Sequence, residues 1–328
     1  MAEPRTSSIL LILPFFGSLP PWSDLYFRSC AANPTVNWLL VSDHVFDPGS
    51  LPPNVRCRRT TLAALKQQID AIVGFETVLP TPYKLCDFRP LFGVLFAPEI
   101  QGFDFWGHCD IDVVFGDLRR FLPETTLSAH DKVLIHGHLS LYRNNDAANN
   151  YFRLEAPGLS YREAFTSSES RAFDEFGGVK PLLDHHHIEF FRNDGCIADI
   201  DPCTYKFNVL WSHNYRRQCF YWEAGRLFRA FWTGTSYGRD EYAYIHLQKR
   251  AMGSASRPLI EADGWYITPY GFVAKPPGQP DVADMRRLNP TNVMFDLKQA
   301  LASSMWRLKR KVRGARTSRG LSPRTATL

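Results

Sequence analysis

Short apolar runs broken by polar turns set the rhythm of the chain. Residues 8–16 (Ser-Ile-Leu-Leu-Ile-Leu-Pro-Phe-Phe) are continuously apolar and stop at a Gly-Ser-Leu-Pro-Pro turn. That pattern predicts a strand buried on both faces of a parallel sheet. Helical spacing follows over 22–31, with Ser23 or Asp24 near its start. A second apolar strand over 37–42 ends at Asp43, and 56–60 predicts a short third. Residues 84–96 predict a helix that Pro90 kinks or divides. The run 103–109 is a strand that breaks into carboxylates, and Asp117 is placed to cap a short helix over 118–122. Strands at 132–135 and 139–142 flank His136-Gly-His138, and 145–200 is irregular. Aromatic-rich strands return over 219–247, including 242–246, and 264–273 predicts a last strand or hairpin. Strands alternating with helices predict an α/β fold with a mainly parallel central sheet.

Residues 276–280 open a Pro-rich linker, and apolar positions recur with helical spacing over 293–312 (Met294, Leu297, Leu301, Met305, Leu308). The expected division is therefore a main domain over 1–275 and a linker, amphipathic helix and basic tail over 276–328. From residue 301 onward there are eight basic residues and no acidic one. Removing those eight from the formal net charge of +5 leaves the rest at −3, so the basic pI belongs to the tail and argues against a nucleic-acid-binding enzyme. At 45% hydrophobic residues, the composition supports a sizeable core. The seven cysteines are scattered and odd in number, with no C-x-x-C pair, which argues against a disulfide framework and a thiolate zinc site and for a reducing, cytoplasmic compartment. The longest apolar run, 9–16, is too short to span a bilayer. Glu3 and Pro14 fit a signal peptide poorly, and a first buried strand explains the run better.

The chemistry concentrates at Asp110 and Asp112, a D-x-D at the end of an apolar strand. Ligands of open α/β folds bind outside the carboxyl ends of strands. Paired carboxylates there suit Mg²⁺ or Mn²⁺, with substrate phosphates completing the coordination shell. D-x-D alone is a weak motif; its flanking His108, Cys109 and apolar residues give it weight. Upstream, Lys84 and Asp87, three apart, share a helix face, with Arg89 close behind. They can meet a phosphate or a sugar, the alternative being a surface ion pair. Downstream, His246 can complete the metal shell, and Lys249 and Arg250 can neutralise a departing diphosphate. Asp174 and Glu175 supply a general base or an acceptor contact, the alternative being a helix-end pair. His136 and His138 can line an acceptor cleft. His185-His-His187 reads as a solvated loop, because three consecutive side chains cannot converge on one ion.

Phe15-Phe-Gly, Pro82-Tyr-Lys-Leu-Cys-Asp-Phe, Phe105-Trp-Gly-His-Cys-Asp-Ile-Asp-Val-Val-Phe-Gly-Asp-Leu and Tyr244-Ile-His-Leu-Gln-Lys-Arg together resemble a bacterial family of glycosyltransferases from polysaccharide gene clusters. The resemblance runs from about residue 8 to residue 273. It implies a GT-A-type nucleotide-sugar-binding fold in which D-x-D holds a divalent metal on the donor diphosphate. Lys84-x-x-Asp87-x-Arg89 is also similar to a helix bordering the donor sugar in α-glycosyltransferases that include initiating mannosyltransferases. Carried over, Asp110 lies nearer the ribose and sugar, Asp112 is the principal metal ligand, His246 is the later one, and Asp43 contacts the base or ribose.

The expected function is metal-dependent sugar transfer from a nucleotide-sugar to a polysaccharide, lipopolysaccharide or other glycan, with retention or inversion left open. A lipid-linked acceptor is implied if Trp306, Leu308, Val312 and the cations around them lie on an anionic membrane surface, placing the enzyme at its inner face; a free basic tail is the alternative. Two other readings use the same residues. One is a metal-dependent phosphohydrolase drawing on His108, His136 and His138. The other is a non-catalytic glycan- or nucleotide-binding protein.

Overall fold

The computed structural model describes residues 5–302 and Ser304. In chain order its strands are β1 (Ile9–Phe15), β2 (Val36–Ser42), β3 (Val55–Arg59), β4 (Phe105–Cys109), β5 (Val113–Phe115), β6 (Lys132–His136), β7 (Leu139–Arg143), β8 (Ile197–Asp199), β9 (Arg217–Glu223), β10 (Arg226–Trp232), β11 (Tyr237–Tyr242), β12 (Tyr244–His246), β13 (Gly264–Thr268) and β14 (Gly271–Ala274). A central six-stranded sheet has the order β3-β2-β1-β4-β7-β6. Its first four strands are parallel, and β7 and β6 complete it as an antiparallel hairpin. The expected mainly parallel α/β sheet is thus the observed one.

The apolar run at the start of the chain folds this way because both its faces are covered. Ile9, Leu11 and Leu13 point into one hydrophobic layer, while Leu10 and Ile12 point into the other. The first layer includes the helix Ser23–Ala31 and two smaller sheets, β5-β12-β8 and β11-β10-β9-β13-β14. The second contains the helix Leu62–Val73, capped by the Thr61 hydroxyl and stopped at Gly74, and the segment from Pro82 to Leu95. The three-stranded sheet brings β12 antiparallel to β5 and parallel to β8, which carries His246 and Asp199 to the D-x-D segment.

Several expectations change. The expected helix over 84–96 is a 3-10 helix, Pro82–Leu91, followed by a short α-turn, Phe92–Leu95. Neither Ser23 nor Asp24 caps the first helix. Trp22 occupies the N-cap position, buried and packed on Phe272 at 5.3 Å, so packing fixes the chain entry. Where a linker is expected, a helix over Val282–Leu288 is held by a reciprocal Asp281–Asp284 cap. It buries Met285 and Leu288 against Cys219, Tyr221, Phe228 and Tyr266. Residues 293–302 are helical; Met294, Leu297 and Leu301 are exposed, while Phe295 packs on Tyr205 and Arg250. Met305, Leu308 and the basic tail lie outside the described residues. Among the described residues, no helix is long and apolar enough to cross a membrane.

The strand that leads into the carboxylates, β4, depends on one glycine. Gly107 pairs with Leu141 of β7, and a Cβ there would sit 2.2 Å from the Ser140 carbonyl oxygen. Backbone cannot yield as a flexible side chain would. Gly107→Ala is therefore expected to cost about 1–3 kcal/mol, as overpacked cores do, read as a lower urea midpoint with an unchanged slope.

Candidate active site

The central sheet reverses its winding between β1 and β4: β2 and β3 lie to one side of β1, and β4 and β7 to the other. The crevice beyond the carboxyl ends of two such strands is the natural ligand site of an open α/β sheet. A cleft of about 880 Å³ opens there, lined by Leu13–Phe16 at the end of β1 and Asp110–Asp112 after β4. The size suits a small-molecule ligand or cofactor.

Asp110, Asp112 and His246 converge in this cleft, each offering a ligand atom within 4.8 Å of the others. His246 Nε2 is 3.6 Å from Asp112 Oδ1 and 3.9 Å from Asp110 Oδ2. On the far side of the ring, Nδ1 is 2.9 Å from Asp199 Oδ1. A carboxylate on one imidazole nitrogen, with the other facing two more carboxylates, is how proteins orient a metal-ligating histidine. A second candidate group, His138, Asp199 and His246, is also present. It is the poorer site, because Asp199 already accepts from the Gln248 amide at 2.6 Å and the Trp211 indole at 3.2 Å besides facing His246. His138 Nδ1 meets the Tyr244 hydroxyl at 2.7 Å. The donor set that fits an ion is Asp110, Asp112 and His246.

Electrostatics favours a cation here. Burial opposes charge on His246, but hydrogen bonding to Asp112 and Asp199 and the fields of Asp112 and Asp110 outweigh it and hold its pKa at about 10. Burial raises the Asp112 carboxyl, yet hydrogen bonding to His246, its charge and the Lys249 amide bring it below the usual range. That amide donates to Asp112 Oδ2 at 2.6 Å because Gln248 and Lys249 both adopt left-handed conformations (φ 52° and 58°). Such backbone costs of order 1–3 kcal/mol per residue and clusters at ligand sites.

Arg89 joins the D-x-D to a second acidic pair. Its guanidinium donates to Asp110 Oδ1, to Asp174 Oδ2 at 2.7 Å and to the Gly137 carbonyl at 2.7 Å. Glu175 accepts from the Gly137 amide at 3.0 Å. A Cβ on Gly137 would lie 2.7 Å from Asp174 Oδ2, so only glycine lets this turn approach the ion pair. Burial raises the Asp174 carboxyl to about 7 despite Arg89.

With this geometry in hand, the comparisons place the chain. It belongs to a family of unknown function, DUF6625, whose model matches residues 11–276. No curated protein matches. Among solved structures it is similar to the galactosyltransferase LgtC in complex with donor and acceptor sugar analogues, at 11% identity and TM-score 0.37, covering 58% of this chain and 75% of that one. It is also similar to mouse xyloside xylosyltransferase 1 in its apo form, at 11% identity and TM-score 0.41, covering 60% and 89%. A third is the apo glycosyltransferase GlyE of Streptococcus pneumoniae, at 9% identity and TM-score 0.35, covering 58% and 46%. Overlaps this loose carry no weight in assigning an activity.

The other expected site residues divide. Glu175, Lys249, His136 and His138 line the cleft, as do Asp174 and Arg89. Lys249 Nζ lies 3.9 Å above the Tyr83 ring centroid. Lys84 and Asp87 do not line it. Lys84 Nζ donates to Asp87 and to the carbonyls of Ala164 and Glu169, which uses all three of its protons. Asp87 accepts from the amides of Arg171 and Phe173, so the pair is a buried staple for the 164–173 loop rather than a sugar contact or a surface pair. Arg250 borders the cleft, and its guanidinium donates to the carbonyls of Asp201 and Thr204. Asp43 sits at the end of β2 and accepts from the Gly17 amide at 3.3 Å, outside the cleft lining. His108 is fully buried against the Gly137 carbonyl, and His186 bonds the Glu155 carbonyl. Sequence reasoning missed Asp199, Tyr83, Phe176 and Trp211, all in the cleft wall. Asp199 carries no local motif, and only its pairing with β12 brings it to His246.

Two outcomes follow from these contacts. Lys84→Met leaves the Asp87 charge buried and is expected to lose about 3–5 kcal/mol of unfolding free energy, as broken buried pairs do. The check is urea unfolding, with nucleotide binding unaltered in the fraction that folds. For His246, a folded pKa raised above 6.5 stabilises fully below pH 6.5, and that stabilisation is lost as pH rises through about 10. In EDTA, the stability gap between wild type and His246→Gln should therefore shrink steadily from pH 6.5 to pH 10.

Proposed function

We propose that this chain is a metal-dependent glycosyltransferase that moves a sugar from a nucleotide-sugar donor to a glycan acceptor. The observation that carries the reading is the placement of Asp110, Asp112 and His246 together in the crevice between the ends of β1 and β4. A GT-A-type arrangement needs its metal there. Asp112 and His246 would hold the ion, and Asp110 would share itself between ion and Arg89. Two carboxylates and an imidazole suit Mn²⁺, with Mg²⁺ as the harder alternative. The bound ion would supply positive charge against the diphosphate leaving group.

The rest of the cleft supports the same division of labour. The apolar end of β1, with Pro20, Pro21 and Trp22, suits a base and ribose. Lys249, next to the D-x-D, is the exposed cation placed to meet phosphate oxygens. Asp174 is committed to Arg89, so it positions that guanidinium against the sugar end of the site. Glu175 keeps carboxylate capacity free to take the proton of an acceptor hydroxyl if the transfer inverts. A two-metal phosphohydrolase would need a bridging carboxylate. Here the two candidate groups share a histidine instead, and His108 is buried away from the cleft.

The C-terminal segment extends the proposal to the acceptor. The exposed Met294, Leu297 and Leu301 lead in sequence into the basic residues, a combination suited to an anionic membrane at about 1 kcal/mol per cation near the surface. A lipid-linked glycan acceptor and the cytoplasmic face go with it. The free cysteines fit that compartment.

The test is a thermal-shift series with UDP, GDP, CDP and ADP, with and without Mn²⁺, at pH 8. One diphosphate is expected to raise the melting temperature only when Mn²⁺ is present. At about 100-fold excess over Kd the gain is about 2.7 kcal/mol. Asp112→Asn should abolish the gain and hydrolysis of the matching nucleotide-sugar while still melting cooperatively. An equal shift without metal, or an undiminished one in the variant, would remove the assignment. Metal-dependent binding without turnover of any donor would mark a non-catalytic binding protein.

A further inference from the structure

Besides the exposed Tyr83, whose ring already carries Lys249, Phe176 and Trp211 stand in the cleft wall nearly half open to solvent. Phe176 is 43% exposed and Trp211 is 44% exposed. Both flank the His136 ring, at centroid distances of 5.4 and 5.7 Å. Aromatic surface kept wet in a cleft is unfavourable unless a ligand covers it.

Both rings are also held from behind. The Trp211 indole N–H donates to Asp199 Oδ2 at 3.2 Å, the same carboxylate that orients His246. The Arg192 guanidinium lies 5.3 Å from the Phe176 ring centroid, and Arg192 is paired with Asp194. Asp194 in turn meets His136 Nε2 at 2.9 Å. These bonds fix the rings before any ligand arrives, and a preorganised platform loses little entropy on binding.

We propose that Phe176 and Trp211 form a stacking subsite for the acceptor's sugar ring, with Glu175 and His136 beside it to meet hydroxyl groups. The inference rests on the glycosyl-transfer reading and names where its second substrate sits. A pyranose presents a face of weakly positive C–H groups, which suits the negative face of an aromatic ring, and a rim of hydroxyls, which suits carboxylate and imidazole. The position favours acceptor over donor. The Nε2 side of His246 faces the D-x-D, where Lys249 and Tyr83 lie, whereas Trp211 is attached through Asp199 to the Nδ1 side. Glu175, the carboxylate free to accept a hydroxyl proton, adjoins Phe176 in the chain.

The experiment is saturation-transfer NMR with the methyl α- and β-glycosides of glucose, galactose and mannose, run on the full chain with Mg²⁺ and the nucleoside diphosphate that stabilises it. Transfer to ring C–H protons is expected in wild type and in Asp112→Asn. It should fall at least fivefold in the Phe176→Ala/Trp211→Ala double variant, with diphosphate binding unchanged. Trp211→Phe, which keeps a ring but loses the indole bond, should retain most of the signal and guards against misfolding of the double variant. Silence from every glycoside in wild type, an undiminished signal in the double variant, or loss of diphosphate binding in that variant would each overturn the proposal. The last would give the rings to the nucleobase instead. Failure of the metal–diphosphate effect in wild type would strike the glycosyl-transfer reading itself, and so is told apart from failure of the subsite.

Discussion

Negative charge accumulates on the floor of the cleft, and the need to compensate it in a poorly solvated place governs the local architecture. Asp110, Asp112, Asp174, Glu175 and Asp199 all line one cavity, with the buried Arg89 and His246 among them. An unpaired buried carboxylate is expensive, so each must find donors or a cation. Arg89 serves Asp110 and Asp174 together, the Lys249 amide serves Asp112, and the Gly137 amide serves Glu175. Burial raises the Asp174 carboxyl to about 7 despite Arg89, while hydrogen bonds and charge from the carboxylates around His246 outweigh its burial and hold it at about 10. At neutral pH the proton on His246 supplies one positive charge among these carboxylates. A divalent ion would displace it and supply more charge at the same place.

The backbone is shaped around those donors. Gly137 donates its amide to Glu175 and accepts at its carbonyl from Arg89 and His108, so one peptide turn ties the β6–β7 hairpin to both acidic pairs. Gln248 and Lys249 hold left-handed conformations that no glycine relieves, and the return is an amide aimed at Asp112. Locally unfavourable geometry of this kind persists where surrounding contacts over-determine it.

Much of this was legible in the sequence, for reasons that also explain what was not. The β1, β2 and β4 strands announce themselves because burial on both faces leaves no alternation to misread, and D-x-D marks the strand end by its abrupt change of polarity. The Lys84-x-x-Asp87-x-Arg89 segment reads as one unit in the sequence, but the structure divides it. At three residues per turn Lys84 and Asp87 eclipse each other, while Arg89, two residues on, turns through about 240° to another face. The first two enter the protein body and the third reaches the cleft. The helix at 62–73 is not among the sequence expectations, although Thr61 and Gly74 are ordinary start and stop signals. Asp199, Phe176 and Trp211 sit in the irregular stretches around 170–215, where no period exists to place them and only the pairing of β8 with β12 settles the geometry.

Asp199 also couples the two ends of the cleft. One oxygen faces the imidazole that looks toward the D-x-D, and the other holds the indole on the aromatic side. When His246 carries a proton, the Asp199 hydrogen bond joins opposite charges. An ion held at Nε2 would require the neutral ring, and Asp199 would then accept from an N–H dipole instead of a cation. His246 and Trp211 are thereby joined through a single carboxylate. The same carboxylate thus orients both the His246 imidazole and the Trp211 indole, and Gln248, which shares it, ties the strained turn beside Asp112 into the same network.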